Sequence, residues 1–437
     1  MIDMRDGCKH VPLKDMRAYV RNTLTEGRER SLANCDLSRA DLAGEKLNNV
    51  DFRGCRLNHA DLRQVDFRGA LHLSVENIAG ADLRSCLMPE MFSIELEPVN
   101  ESVRNCRSLS IMLLLASIYI VLAAAGTNDA DLLTASRTFK LPVIGAEISL
   151  TGFYVMGPIS LLLFSLYFYL NTERLFERLS RLPAALPDGS IIDEAVSPWI
   201  ATGLIRWRQP ILRQAISGIW LARSAIGAAL MWIVVPTTLS FFWLRYLKRH
   251  EAIVTSLHIV LIAISVVLSV WFCYLCCTGR RPSVRALAVI VVGALFFFIG
   301  PAMYVSITVL GVGELPTAVA AVLNYAGYRP NLDLTGAIVS RRPANWSPAL
   351  DPNHDEVTGA DLAHASLRNA TGRHVFLARA NLTQADLRSA YLSRGRFQFA
   401  NLTAMDAQGA NFIGANFRSA HFHGAFVQNA NLSDAQF

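Results

Sequence analysis

The stretch GANFIGANFRSAHFHGAF, residues 409–426, repeats alanine at Ala410, Ala415, Ala420 and Ala425 and phenylalanine at Phe412, Phe417 and Phe422. The period is five. A helix returns to the same face about every 3.6 residues and a strand every second one. Neither has a use for five, so the backbone here must turn a corner once per unit.

Working outward, the phase holds without a slip from Leu362 to Phe437, sixteen units with a large apolar residue at every fifth position except Gly372 and Ala407. Two residues earlier the side chain is usually small, most often Ala. Between them stands Asp or Asn in many units, as in GADLA at 359–363 and RANLT at 379–383. Met405 takes the small place where Ala407 takes the large one. Such a swap conserves local volume, as a packed interior requires. The N-terminal part obeys the same rule from Leu32 to Phe67 for eight units; one residue is then inserted, and Leu73, Ile78, Leu83 and Met88 add four more. Glu45 and Glu76 occupy the small inward place there, which makes this part the less regular of the two.

Fixed short periodicity marks a solenoid, whose stacked units share one core. The A(D/N)LXX pattern resembles the pentapeptide-repeat proteins. That resemblance implies a right-handed, four-sided parallel β-helix with four pentapeptides per coil, hence about four coils in residues 357–437 and about three in 31–90. It also implies that residues twenty apart stack, so that Leu377, Phe397, Phe417 and Phe437 form one ladder at the β-sheet spacing of about 4.8 Å. Residues 1–30, with a stripe at Leu13, Met16, Val20 and Leu24, are expected to cap the first coil as a helix, since solenoid ends need covering.

Composition describes a second kind of material. Apolar residues make up 52% of the chain, charged residues 17%, and mean hydropathy is +0.31. Those values exceed an ordinary soluble domain. The apolar excess lies in residues 91–327, read as a transmembrane domain with spans near 108–126, 150–171, 222–247, 252–277 and 285–311. No cleavable signal peptide is evident, so the first span would serve as an uncleaved anchor. Residues 172–221 read as an interfacial segment, with Leu175, Phe176, Leu179 and Leu182 on one helical face and Arg174, Arg178 and Arg181 on another; such a helix suits either lipid headgroups or the bundle. Residues 328–356 read as a linker. The fold class expected is thus multi-domain: an α-helical transmembrane bundle flanked by two right-handed, four-sided parallel β-helices.

Loop arginines and lysines favour a cytoplasmic N-terminus, with Arg174, Arg178, Arg181, Arg206, Arg208 and Arg213 in one inside loop. Five spans would then put the C-terminal β-helix outside, and one span fewer would return it to the cytoplasm. The segments TNDADLLTASRTFKLPVIGAEISLTGFYVMGP, LPAALPDGS and RRPANWSP resemble membrane-embedded bacterial pentapeptide-repeat proteins. The location implied is the bacterial inner membrane.

Chemistry is sparse. No Walker loop, dinucleotide fingerprint, HExxH or GxSxG occurs in the sequence, so no enzyme activity, cofactor, catalytic residue or metal ligand is assigned. Cys273, Cys276 and Cys277 form C-x-x-C-C without a second ligand pair. His354, Asp355 and Glu356 beside Asp351 match no known cation spacing and read as a solvated linker. His258 is the one titratable side chain deep in a span; it is either functional or hydrogen-bonded to a neighbour. Duplex mimicry is disfavoured because residues 357–437 carry net +3 and residues 31–90 net −2. Nucleic acid is therefore not an expected partner. The partners expected are the lipid bilayer, a protein that meets the β-helix faces, and a second copy through the C-terminal coil. The role expected is a membrane-anchored scaffold; the alternative is a channel, transporter or sensor gated by the β-helical domains.

Overall fold

A computed structural model of the chain describes residues 15–26, 30–134, 138–140, 147–209, 211–212, 218–294, 296, 300, 302, 331–342 and 356–437. It divides into two compact units. The first holds residues 1–116, 163–235 and 266–292, and the second 117–162, 236–265 and 293–437.

The corner of each five-residue unit explains the sequence pattern. After every large inward residue the chain makes a turn closed by a backbone bond, such as Ala365 N–H to the Leu362 carbonyl at 3.1 Å. The second turn residue has positive φ, between 54° and 61° at His364, Asn369, His374, Arg379 and Phe399. That left-handed backbone costs a non-glycine residue about 1–2 kcal/mol, and only stacking over many coils offsets it. The Asp or Asn before each large residue has a matching task. Its Oδ1 accepts the N–H two residues on, as Asp361 does from Ala363 at 3.3 Å and Asn401 from Thr403 at 3.2 Å. These short polar side chains thereby hold the first corner residue in place.

In the second unit, parallel bridges step by twenty residues along each side, for example Asp361 to Asn381 to Asn401 to His421 and Phe376 to Arg396 to Asn416 to Gln436. Four pentapeptides therefore make one coil. The inward residues form a single core from Leu362 to Phe417, with Met405 and Ala407 both fully buried in their exchanged places. Phe417 stacks between Phe397, with centroids 5.0 Å apart, and Phe437 at 5.7 Å. This is the ladder expected from the period. The stacking starts earlier than the repeats do: Asp333 pairs with Thr371 and Ile338 with Phe376, and Leu332, Leu334 and Val339 join the core. Part of the segment read as a linker is thus solenoid.

In the first unit, helix α1 (Met16–Glu26) buries Met16 and Val20 against the core of the first coil, as its stripe implies. Glu45 points inward and is met by Arg17 at 2.8 Å and Arg21 at 2.6 Å, both from α1. Glu76 is exposed, on a short 3-10 turn at Val75–Ile78. That turn absorbs the inserted residue: the bridges step by twenty from Asp41 to Asp61 but run from Asp61 to Asp82 and from Asp66 to Leu87.

Between the solenoid segments run α2 (Glu97–Ala125), the short α3 (Asp129–Thr134), α4 (Leu150–Ser180), α5 (Gly218–Trp232), α6 (Val234–Leu247), α7 (Ala252–Thr278) and α8 (Val284–Ala294). A two-stranded hairpin, β1 (Thr138–Lys140) and β2 (Glu147–Ser149), precedes α4. Helices α2, α4 and α7 are long and apolar enough to cross a membrane, and α5 with α6 makes a fourth candidate bent by 48°. Pro236 accounts for the bend, because it has no N–H for the Trp232 carbonyl. The expected fifth span contributes the eleven-residue α8; most of the rest lies outside the described residues. The segment read as an interfacial helix begins as the last turns of α4, where Leu175, Phe176 and Leu179 are buried rather than laid on a surface.

Candidate interaction surfaces

Each solenoid is fixed to the helical part of its own unit. In the first, the chain leaves α4 and lays residues 182–187 along the last coil. Gly80 donates to the Leu182 carbonyl at 2.8 Å, Ala184 to Ala81 at 2.8 Å and Leu83 to Ala185 at 3.1 Å. Nearby, the 7%-exposed Arg206 is held by Asp193 at 2.9 Å and Glu194 at 3.0 Å.

In the second unit the attachment is ionic. Asp129, opening α3, takes Arg245 at 2.6 Å, Lys248 at 3.1 Å and the Asp333 backbone N–H at 2.8 Å. Burial alone would raise its carboxyl; the Asp333 N–H and the two cations hold it below the usual carboxylate range. Leu133 of α3 enters the solenoid core alongside Leu332. Arg245 and Lys248 thus share one structural partner.

The open solenoid faces carry the remaining chemistry. Some of their charges are neutralised in place, where the residue after the large one is an arginine that pairs with the aspartate before it: Arg63 with Asp61, Arg68 with Asp66 and Arg388 with Asp386. Tyr391, Phe399 and Phe426 stand out of the C-terminal solenoid as exposed aromatics. These faces offer shape and stacking area.

Three features singled out in the sequence resolve as follows. His258 is buried, and its Nε2 donates to the Tyr154 carbonyl at 2.7 Å. Pro158, four residues on in α4, has no N–H for that carbonyl. His258 supplies the missing bond, between Phe242 and Tyr246, whose rings it meets edge to face. Cys273, Cys276 and Cys277 lie on the last turns of α7 as free thiols. Among the described residues no His, Cys, Asp or Glu grouping is placed to hold a metal. Asp351, His354 and Asp355 lie outside the described residues, and Glu356 is exposed.

A backbone that turns a corner every five residues and pairs every twenty defines a β-solenoid repeat protein. A model of pentapeptide repeats matches in eight copies, over residues 31–71, 358–394 and 396–434. These segments carry pentapeptide repeats, which imply a right-handed β-helix there. Among solved structures it is similar to HetL, a pentapeptide repeat protein involved in heterocyst differentiation regulation from the cyanobacterium Nostoc, at 27% identity and a TM-score of 0.20. That match covers 24% of this chain and 40% of that one. It is also similar to Rfr23, a pentapeptide repeat protein from the cyanobacterium Cyanothece, at 21% identity over 24% of this chain and 80% of that one, with a TM-score of 0.15. No curated protein matches the chain.

Proposed function

We propose that this chain is a multi-pass scaffold of the bacterial inner membrane, its helical bundle flanked by two β-helices that present rigid faces to a protein partner. The observation that carries the reading is the mounting of each solenoid on its helices, by backbone ladder at residues 182–187 and by the Asp129 ion cluster. A solenoid fixed this way has a defined face and little freedom to lose on binding. Membrane insertion is supported by the outward surfaces of the long helices, where Leu115, Leu122, Leu163 and Val260 are each more than half exposed.

The test deletes each β-helix in turn from the detergent-solubilised protein and compares what co-purifies. A partner lost with one deletion supports the scaffold. An unchanged set of partners, together with ion flux in proteoliposomes, replaces it with a channel. Orientation is separable. Loop charges favour a cytoplasmic N-terminus, with Arg174, Arg178 and Arg181 in one inside loop, and the opposite orientation is the alternative. Cysteines introduced at Ser38, Ser393 and Ser419 and treated with an impermeant thiol reagent in spheroplasts decide between them. Labelling at Ser393 and Ser419 alone fits five spans with the N-terminus inside; labelling at Ser38 alone reverses the orientation. A second copy is the expected partner of the last described coil, where Phe437 is 69% exposed. Light scattering of the full chain in detergent should show a dimer that Phe437→Asp dissociates, and a monomeric wild type would end that idea.

A further inference from the structure

A cavity of about 540 Å³ in the first unit is lined by Arg39 and His59 of the solenoid, Arg208 and Gln209 of the segment after α4, and Arg280 just past α7. Its volume falls in the range of small-molecule sites, about 300–1,000 Å³. Three sequence-distant segments bring three guanidinium groups to one space, and no carboxylate is part of its lining.

Two independent observations separate this space from an ordinary charged cleft. Gln209 is 0% exposed, yet neither its amide nitrogen nor its carbonyl oxygen has a hydrogen-bond partner among the described residues, and it borders the cavity. A buried amide without partners is destabilising, so a group that fills the cavity and bonds to it recovers that loss. The second observation is Gly279, at φ +67°, where an added Cβ would collide with Arg208 Nε. Glycine there lets the guanidinium lie against the turn that follows α7. Arg208 has no ion pair among the described residues; burial pulls it below its ordinary value despite the opposing charges of Cys276, Glu173 and Glu177. A half-buried cation with too little counter-charge, beside two exposed arginines and an unsatisfied amide, is complementary to a small anion with several acceptor oxygens.

We propose that the cavity bounded by Arg39, Arg208, Gln209 and Arg280 binds a phosphate group, carried either by an anionic lipid headgroup or by a soluble phosphate compound. Arg208 would form the fixed contact, the Gln209 amide nitrogen would donate from the floor, and Arg39 and Arg280 would close over the remaining oxygens.

The experiment uses the full chain purified in an uncharged detergent. Calorimetric titration with inorganic phosphate at constant ionic strength should give saturable binding. Arg208→Gln should weaken it at least tenfold. Gln209→Glu, which keeps the size but adds a negative charge, should abolish it. If Arg208→Gln does not fold, Arg39→Gln and Arg280→Gln should each weaken binding about threefold or more. Gly279→Ala should also weaken binding by displacing Arg208 without changing any charge. Nanodiscs separate the two sources: a higher unfolding temperature in phosphatidylglycerol than in phosphatidylcholine, lost in Gln209→Glu, with no response to inorganic phosphate, assigns a lipid headgroup. Binding of inorganic phosphate with equal stability in both lipids assigns a soluble ligand, and both responses together assign a phosphate site open to either. No response to either probe overturns the proposal, as does a response that all the substitutions leave unchanged.

Discussion

The two solenoid segments share one repeat and differ in how they close. The C-terminal one keeps a twenty-residue step from Asp361 to Gln436 and encloses a core of aliphatic, aromatic and Ala side chains plus Met405. The N-terminal one lengthens its step at Asp61 to Asp82, takes Glu45 inside, and borrows residues 182–187 for its last coil. Regular repeats satisfy one another coil by coil. Each irregularity marks a place where another element attaches, α1 at Glu45 and the chain leaving α4 beyond Asp82.

That contrast breaks most visibly at Phe417. Replacing its ring, stacked on both sides, should destabilise the C-terminal solenoid by about 3–5 kcal/mol, read as protease sensitivity of the second unit. Arg418→Ala, exposed and one residue on, should leave it unchanged. Equal effects would mean that the inward phase is misassigned. The corresponding weak point of the N-terminal solenoid is the charge inside it. Arg17→Ala with Arg21→Ala strands Glu45 and should lower protection of the amides from Leu32 to Leu47 by about 1–3 kcal/mol. Glu45→Leu in that background should restore it; continued loss would show that the two arginines act by holding α1 in place and not by neutralising Glu45.

A smaller effect belongs to the corners. Ala404 sits at φ 54°, so Ala404→Gly should stabilise the C-terminal solenoid by about 1 kcal/mol. Destabilisation by denaturant titration would contradict the strain assigned to that corner. The smallest effect is pH-dependent. Burial tends to raise the Glu45 carboxyl, but Arg17 and Arg21 bring it below its ordinary value. Its contribution is therefore present above about pH 4.3, the unfolded value, and fades as pH falls through the lower folded one. Protection around Leu32 to Leu47, corrected for intrinsic exchange, should drop in that window by more than in the C-terminal solenoid, where the lowered Asp386 carboxyl lies outside the core.

The repeats were readable in the sequence because inward packing demands a large and a small apolar residue at fixed places, and Phe397, Phe412 and Phe417 announce them. The attachments were not. Residues 182–187 join a coil through backbone groups, which impose no side-chain pattern, and Leu332, Leu334 and Val339 show too short a run to reveal a phase. His258 became intelligible only with Pro158, a hundred positions away, because the bond it makes replaces one that proline cannot. Arg39, Arg208 and Arg280 stand far apart in the sequence with no shared pattern, and only the fold gathers them around one space.

The borrowed coil also sets a schedule for biosynthesis. The edge at Gly80, Leu83 and Ser85 is completed by the carbonyls of Leu182, Ala185 and Pro187. Translation proceeds at about 5–20 residues per second, so those partners emerge roughly 5–20 s after the edge they cover. During that interval the nascent solenoid offers a bare row of amides to any neighbouring chain. A ribosome slowed between these segments would lengthen the exposure, and aggregation of the newborn protein should rise with the delay.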